Sequence, residues 1–179
     1  MAPRWTCALT VALAVTAVTR PGTPAELKEF RVRLGASQHA QSLQRALVRA
    51  SDRLERPQCQ KLFTDFKDGA GRPLQEKLDG LGLSGADFLR YVGFYEGYGQ
   101  PRCGNASVMA FTQPGSLAVR VCPQLGRQPE NEVDVVLIHE MLHSLGLGEN
   151  PPSTFEITEQ VRKRCGGAAE DFRVRAATR

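Results

Sequence analysis

The residues of this chain best suited to chemistry are two histidines four apart with a glutamate directly after the first: His139-Glu140-Met141-Leu142-His143. On a helix, residues four apart sit one turn above each other on the same face. Two imidazoles in that relation can hold one Zn2+ between them. Glu140 is rotated by about 100° from His139. It therefore misses the first ligand position but can reach a water on the metal, which makes HExxH a joint metal and base unit. With 3 His and 12 Glu in the chain, a chance HExxH is roughly a 0.3% event.

The motif works only on a helix, and its neighbours supply one. Val135, Ile138, Leu142 and Leu145 are spaced three and four apart and form one apolar stripe. Asn131 can cap the start, Glu132 and Asp134 place negative charge in the first turn, and Gly146 ends the run. The third histidine, His39, begins another amphipathic helix and is expected to be exposed and inert.

His139-Glu140-Met141-Leu142-His143-Ser144-Leu145-Gly146-Leu147-Gly148-Glu149 resembles the active-site helix of zincin metallopeptidases. The resemblance covers about residues 131–160. It implies a zinc ion on His139 and His143 with Glu140 as general base. It also implies a small α+β zincin-like domain in which the edge strand of a short sheet borders the cleft. The stretch from Leu145 to Ser153 with a following helix is similar to segments of uncharacterised secreted proteins as well.

The third ligand is open at this stage. Glu149 stands ten residues after His139, where the metzincin pattern HExxHxxGxxH has its third histidine, and Gly146 occupies that pattern's glycine. The chain departs from metzincins in offering Glu there and in having no Met after Met141. In gluzincins a Glu on the next helix completes the site, which makes Glu156 and Glu159 the alternatives. Ser153-Thr154-Phe155-Glu156 also reads as a capping box, and Glu159 can pair with Lys163 four residues on. Each choice gives two His, one carboxylate and one open position. A zinc there acidifies a water towards pH ~7 and polarises a carbonyl. Glu140 would take the water's proton and pass it to the leaving amine. Tyr95 and Tyr98 are candidate donors to the tetrahedral intermediate.

Several elements must hold this helix. Residues 38–56 carry Leu43, Leu47, Ala50 and Leu54 at helical spacing and end at Pro57. Short helices are expected over 58–67, 73–80 and 84–93, with a turn at Lys67-Asp68-Gly69. Gly93 to Gln100 reads as a Tyr- and Gly-rich loop. Ser107–Thr112 and Leu117–Cys122 are β-prone and flank Gln113-Pro114-Gly115-Ser116, which suits a type II turn, so they predict a hairpin. Its edge could take an extended peptide.

Composition bounds the rest. The 179 residues are 41% hydrophobic and 23% charged, as in an ordinary globular domain. A net charge of +4 without a clustered patch does not argue for nucleic acid. Arg4, then the uncharged run Trp5–Val18, then the small-residue site Val15-Thr16-Ala17 form the pattern of a secretory signal peptide at 1–17. Its removal would take away one of five Cys and leave Cys59, Cys103, Cys122 and Cys165, an even set suited to an oxidising compartment. Three pairings are possible; the hairpin favours Cys103–Cys122, with Cys59–Cys165 joining an early helix to a late one. The domain is expected over 18–165, with a flexible basic tail over 166–179. The sequence thus predicts a secreted, extracellular or periplasmic zinc peptidase. It would act on peptide or protein substrates as a monomer, with no nucleic acid partner and no stable membrane insertion. The alternative is a zinc-stabilised extracellular binding module without catalysis.

Overall fold

A four-stranded mixed sheet lies against helices that carry the apolar stripes, giving an α+β domain. The computed structural model describes residues 29–35 and 37–166. The expected signal peptide, and the expected tail beyond Gly166, lie outside the described residues.

The strands are β1 (Arg31–Arg33), β2 (Gly93–Glu96), β3 (Ala110–Phe111) and β4 (Ala118–Val121), in the order β1-β2-β4-β3. β1 and β2 run parallel, as do β2 and β4, while β3 closes the edge antiparallel to β4. The predicted hairpin is thus present as β3 and β4. Gln113 C=O accepts the Ser116 N–H at 2.9 Å, and Gly115 has φ 80°. Positive φ at the third position defines a type II turn and is the reason a glycine stands there. The Gly93–Gln100 loop expectation is corrected, because its first four residues form central strand β2. Phe94 is fully buried on the helix side. The alternation Gly93-Phe94-Tyr95-Glu96 carries too little apolar pattern to declare a strand, and glycines on both sides imitate a loop. β1, three residues long, was not anticipated either.

Between the first two strands run α1 (Ser37–Leu54), α2 (Pro57–Gln60), α3 (Leu62–Asp65), α4 (Leu74–Leu81) and α5 (Gly85–Tyr91). The stripe of α1 is buried as its spacing predicts: Leu43, Leu47, Ala50 and Leu54 all belong to the core. The turn after α3 is built by Asp68, whose Oδ1 accepts the Ala70 and Arg72 N–H groups at 2.9 and 3.0 Å.

After β4 come α6 (Glu130–Ser144) and α7 (Thr154–Cys165). α6 packs against α1 and α7 and touches β3 and β4. It is buried on more than the predicted stripe: Leu137 and Met141 join Val135, Ile138, Leu142 and Leu145 in the core. Its start differs from expectation. Pro129 is the cap residue and no side chain caps the helix, so Asn131 lies inside it. Asp134 is not a surface charge of the first turn. It is fully buried and takes the Arg49 and Arg53 guanidinium groups, each with Nε at 3.2 Å. Burial raises the Asp134 pKa against the pull of these two cations.

Two disulfides, Cys59–Cys165 and Cys103–Cys122, complete the frame in the favoured pairing. They mark an oxidising environment. No described helix is long and apolar enough to cross a membrane.

Candidate metal centre

His139 and His143 project from the buried C-terminal half of α6 to one point. Their Nε2 atoms lie 3.0 Å apart. Two nitrogens about 2.0–2.1 Å from one tetrahedral ion stand roughly 3.3 Å apart, so this spacing suits a shared metal. Glu149 reaches the same point, with Oε1 at 3.3 Å from His143 Nε2 and 3.9 Å from His139 Nε2. Among the described residues, His139, His143 and Glu149 are the one group of three with ligand atoms, all within 4.8 Å of one another, that could hold a metal.

The chain brings Glu149 there by a sharp reversal. Gly146, at φ 112°, follows α6 in a conformation that side-chain-bearing residues avoid. The Leu147 N–H returns to Leu142 C=O at 3.1 Å, which closes the helix end. Asn150 then takes a left-handed φ of 61°.

The opposite edge of each ring is already used. His143 Nδ1 donates to Leu147 C=O at 2.7 Å. His139 Nδ1 lies 3.1 Å from Thr158 Oγ1, whose own hydroxyl hydrogen goes to Thr154 C=O at 2.9 Å. That hydroxyl can therefore only accept, so His139 carries its proton on Nδ1. Both rings then present a bare Nε2 lone pair to the shared point, as a metal ligand must. Burial, together with the neighbouring His143, holds the His139 pKa down to about 4 against the attraction of Glu149, so the ring is neutral at ordinary pH. Burial pushes Glu149 up, yet its pKa ends below the usual range, chiefly because the Thr154 hydroxyl donates to Oε1 at 2.7 Å. Neutral nitrogens and an ionised carboxylate fit a zinc ion as donors.

Glu140 is turned from this point into the cleft wall. Burial pushes its pKa up to about 8, the Glu149 charge adds to the push, and Arg102 and the Thr112 backbone N–H oppose it. Its Oε2 is buried and without a hydrogen-bond partner. A cation at the histidines acts on Glu140 in the direction opposite to burial.

The other expected residues are placed elsewhere. Glu156 spends its carboxylate in the capping box of α7: Oε2 accepts the Ser153 N–H at 2.7 Å, and Ser153 Oγ accepts the Glu156 N–H at 3.3 Å. Glu159 pairs with Arg162 at 2.5 Å rather than with Lys163. Tyr95 lies flat on the outer face of the sheet under Arg120, and Tyr98 lines a separate cavity of about 490 Å3 beside α1, so neither lines the histidine cleft. His39 is exposed, as expected, and borders that second cavity.

The cleft over the histidines has a volume of about 1120 Å3, and β3 with its flanking residues forms one wall. The turn of the hairpin is fastened to the site, because the Gly115 N–H donates to His143 C=O at 2.8 Å. The sequence reading missed three contributors: Thr158, Thr154 and Arg102. The first two were legible in principle, since Thr154 and Thr158 are four apart on a predicted helix and share one face. Nothing local marked Arg102. Comparison with protein-family profiles, curated proteins and solved structures finds no match for this chain.

Proposed function

We propose that the protein is a secreted zinc-dependent peptidase of zincin type, with His139, His143 and Glu149 as metal ligands and Glu140 as general base. The observation that carries this reading is the pair of facing Nε2 atoms 3.0 Å apart, each ring oriented by a partner on its Nδ1. The unpartnered Oε2 of Glu140 supports catalysis over a purely structural metal site, since a buried acceptor without a donor costs about 1–3 kcal/mol unless a ligand uses it.

Bound zinc would supply an acidified water and an electrophile for the scissile carbonyl. The chain's residues do the rest. Glu140 accepts the proton and returns it to the leaving amine. Thr158 and Leu147 keep the imidazoles in the ligating tautomer. The β3 edge, bordering the cleft, can align an extended substrate backbone by strand addition. The two disulfides support export to an oxidising compartment.

The test is metal content after dialysis, together with proteolysis by wild type, Glu140→Gln and Glu149→Gln. Wild type should hold one zinc per chain and cleave. Glu140→Gln should keep the metal and lose cleavage by at least about a hundredfold. Glu149→Gln should lose metal affinity, whereas Glu156→Gln should not. A zinc-free wild type would sink the proposal. Zinc-loaded wild type without proteolysis, stabilised by the metal and indifferent to Glu140→Gln, would instead establish the non-catalytic binding module.

A further inference from the structure

The outer face of the sheet carries a row of cations interleaved with aromatic rings that leads into the cleft. Register aligns Arg33 of β1 with Tyr95 of β2, Tyr95 with Arg120 of β4, and Arg120 with Phe111 of β3. Residues in register point to the same face of a sheet. Their neighbours Val32, Phe94 and Val119 face the helices, so this row faces solvent. The Arg120 guanidinium lies over the Tyr95 ring at 5.4 Å, and Arg102 lies over the Phe111 ring at 5.4 Å. Arg31, one step along β1, faces outward too and stacks on Tyr91 at 5.8 Å.

None of Arg31, Arg33, Arg102 and Arg120 forms an ion pair among the described residues. Stacking occupies the face of a guanidinium and leaves its edge N–H groups free to fork onto a carboxylate. The rings thus hold Arg31, Arg102 and Arg120 still; Arg120 spends one Nη1 hydrogen on Glu96 C=O at 3.4 Å and keeps its other donors for a ligand. Phe111, Arg102 and Arg120 also line the histidine cleft, so the row begins at the site and ends at β1. Three strand spacings of about 4.8 Å make it roughly 14 Å long, the reach of about four residues of extended chain.

We propose that this row is a docking surface for an acidic segment of the substrate polypeptide, about four to six residues from the bond held at the cleft. The inference rests on the peptidase reading for its choice of a polypeptide over other polyanions. Unpaired arginines call for an anion, and continuity with the cleft calls for the molecule that occupies it. The row crosses the strands, so a substrate aligned along the β3 edge turns across the sheet beyond the cleft to bring its carboxylates to the arginines.

The test uses the full chain carrying Glu140→Gln, a fluorescent peptide with a central glutamate run, and a control peptide with glutamine in its place. Anisotropy is read with zinc and after chelation. The glutamate peptide should bind at least about tenfold more tightly than the control, and raising salt from 50 to 300 mM should weaken it by a similar factor. Arg33→Glu with Arg120→Glu should remove the preference, and Arg33→Gln alone, with an unchanged melting temperature, should reduce it. Equal binding of both peptides, or charge reversal without effect, would overturn the proposal. Sulfated oligosaccharide displacing the peptide at far lower concentration would overturn the polypeptide assignment. Docking that persists without zinc separates the two readings. The same two peptides given to wild type read cleavage: preference in the binding assay with no cleavage by wild type would leave the surface standing and sink the peptidase, while wild-type cleavage indifferent to acidic residues would do the reverse.

Discussion

Thr158 acts on His139 only because its own hydrogen is committed elsewhere. With the Thr154 C=O as acceptor, the hydroxyl offers His139 a lone pair and nothing else. Thr158→Val keeps the shape and removes that acceptor. Metal affinity should fall by about 10–100-fold while the melting temperature of the metal-free protein changes little. Competition with a chelating dye reads the first quantity and thermal unfolding the second. Thr158→Ser, which keeps the hydroxyl, should restore most of the affinity. At this scale the sequence was informative where residues lie close along the chain. Two histidines on one helix and Glu149 ten residues on could be placed by counting. The choice between Glu149 and Glu156 was only half legible: the capping box that captures Glu156 could be read, but not how the turn at Gly146 and Asn150 aims Glu149 at the two histidines.

α7 carries Thr158 to the His139 ring, and its first turn is fixed by the Ser153–Glu156 capping box. The Ser153 amide and hydroxyl hold the Glu156 carboxyl below its ordinary pKa. A carboxylate whose pKa is lower in the folded state stabilises the fold above its unfolded value and loses that contribution as pH falls through the folded one. The melting-temperature deficit of Glu156→Gln should therefore be complete at neutral pH and shrink below about pH 4. A pH series of thermal melts on both proteins checks the sign. Elements with strong local pattern were legible: α1, α6, α7 and the hairpin about Pro114-Gly115 each announce themselves by stripe, cap or turn. β1 and β2 did not. Their few residues gain strand structure from the pairing β1-β2-β4, a tertiary fact that outweighs weak propensity. Asp134 is the same lesson reversed. It suits a helix start by local rules, but the fold needs it as the buried partner of Arg49 and Arg53.

Across the whole molecule the two disulfides differ in reach. Cys59–Cys165 closes a separation of 106 residues and Cys103–Cys122 one of 19. Loop-closure entropy assigns them about 4.7 and about 3 kcal/mol. Replacing Cys59 and Cys165 by Ala should therefore lower the melting temperature more than replacing Cys103 and Cys122. The second replacement should instead disturb the 3₁₀ turn Pro101–Gly104, which carries Arg102 to the cleft. The proposed metal centre, by contrast, asks little of long range. His139, His143 and Glu149 and the groups that orient them all fall between His139 and Thr158, within one helix, one turn and the start of the next. Local contacts of this kind form early, whereas parallel strands far apart in sequence pair late. In refolding with the disulfides intact, amides of α6 and α7 should gain protection before those of β1 and β2, and zinc should hasten the first event and not the second. Pulsed hydrogen exchange would resolve the order. The cradle for the metal would then exist before the cleft that gives it a use, and the fastening of Gly115 to His143 would be the step that joins them.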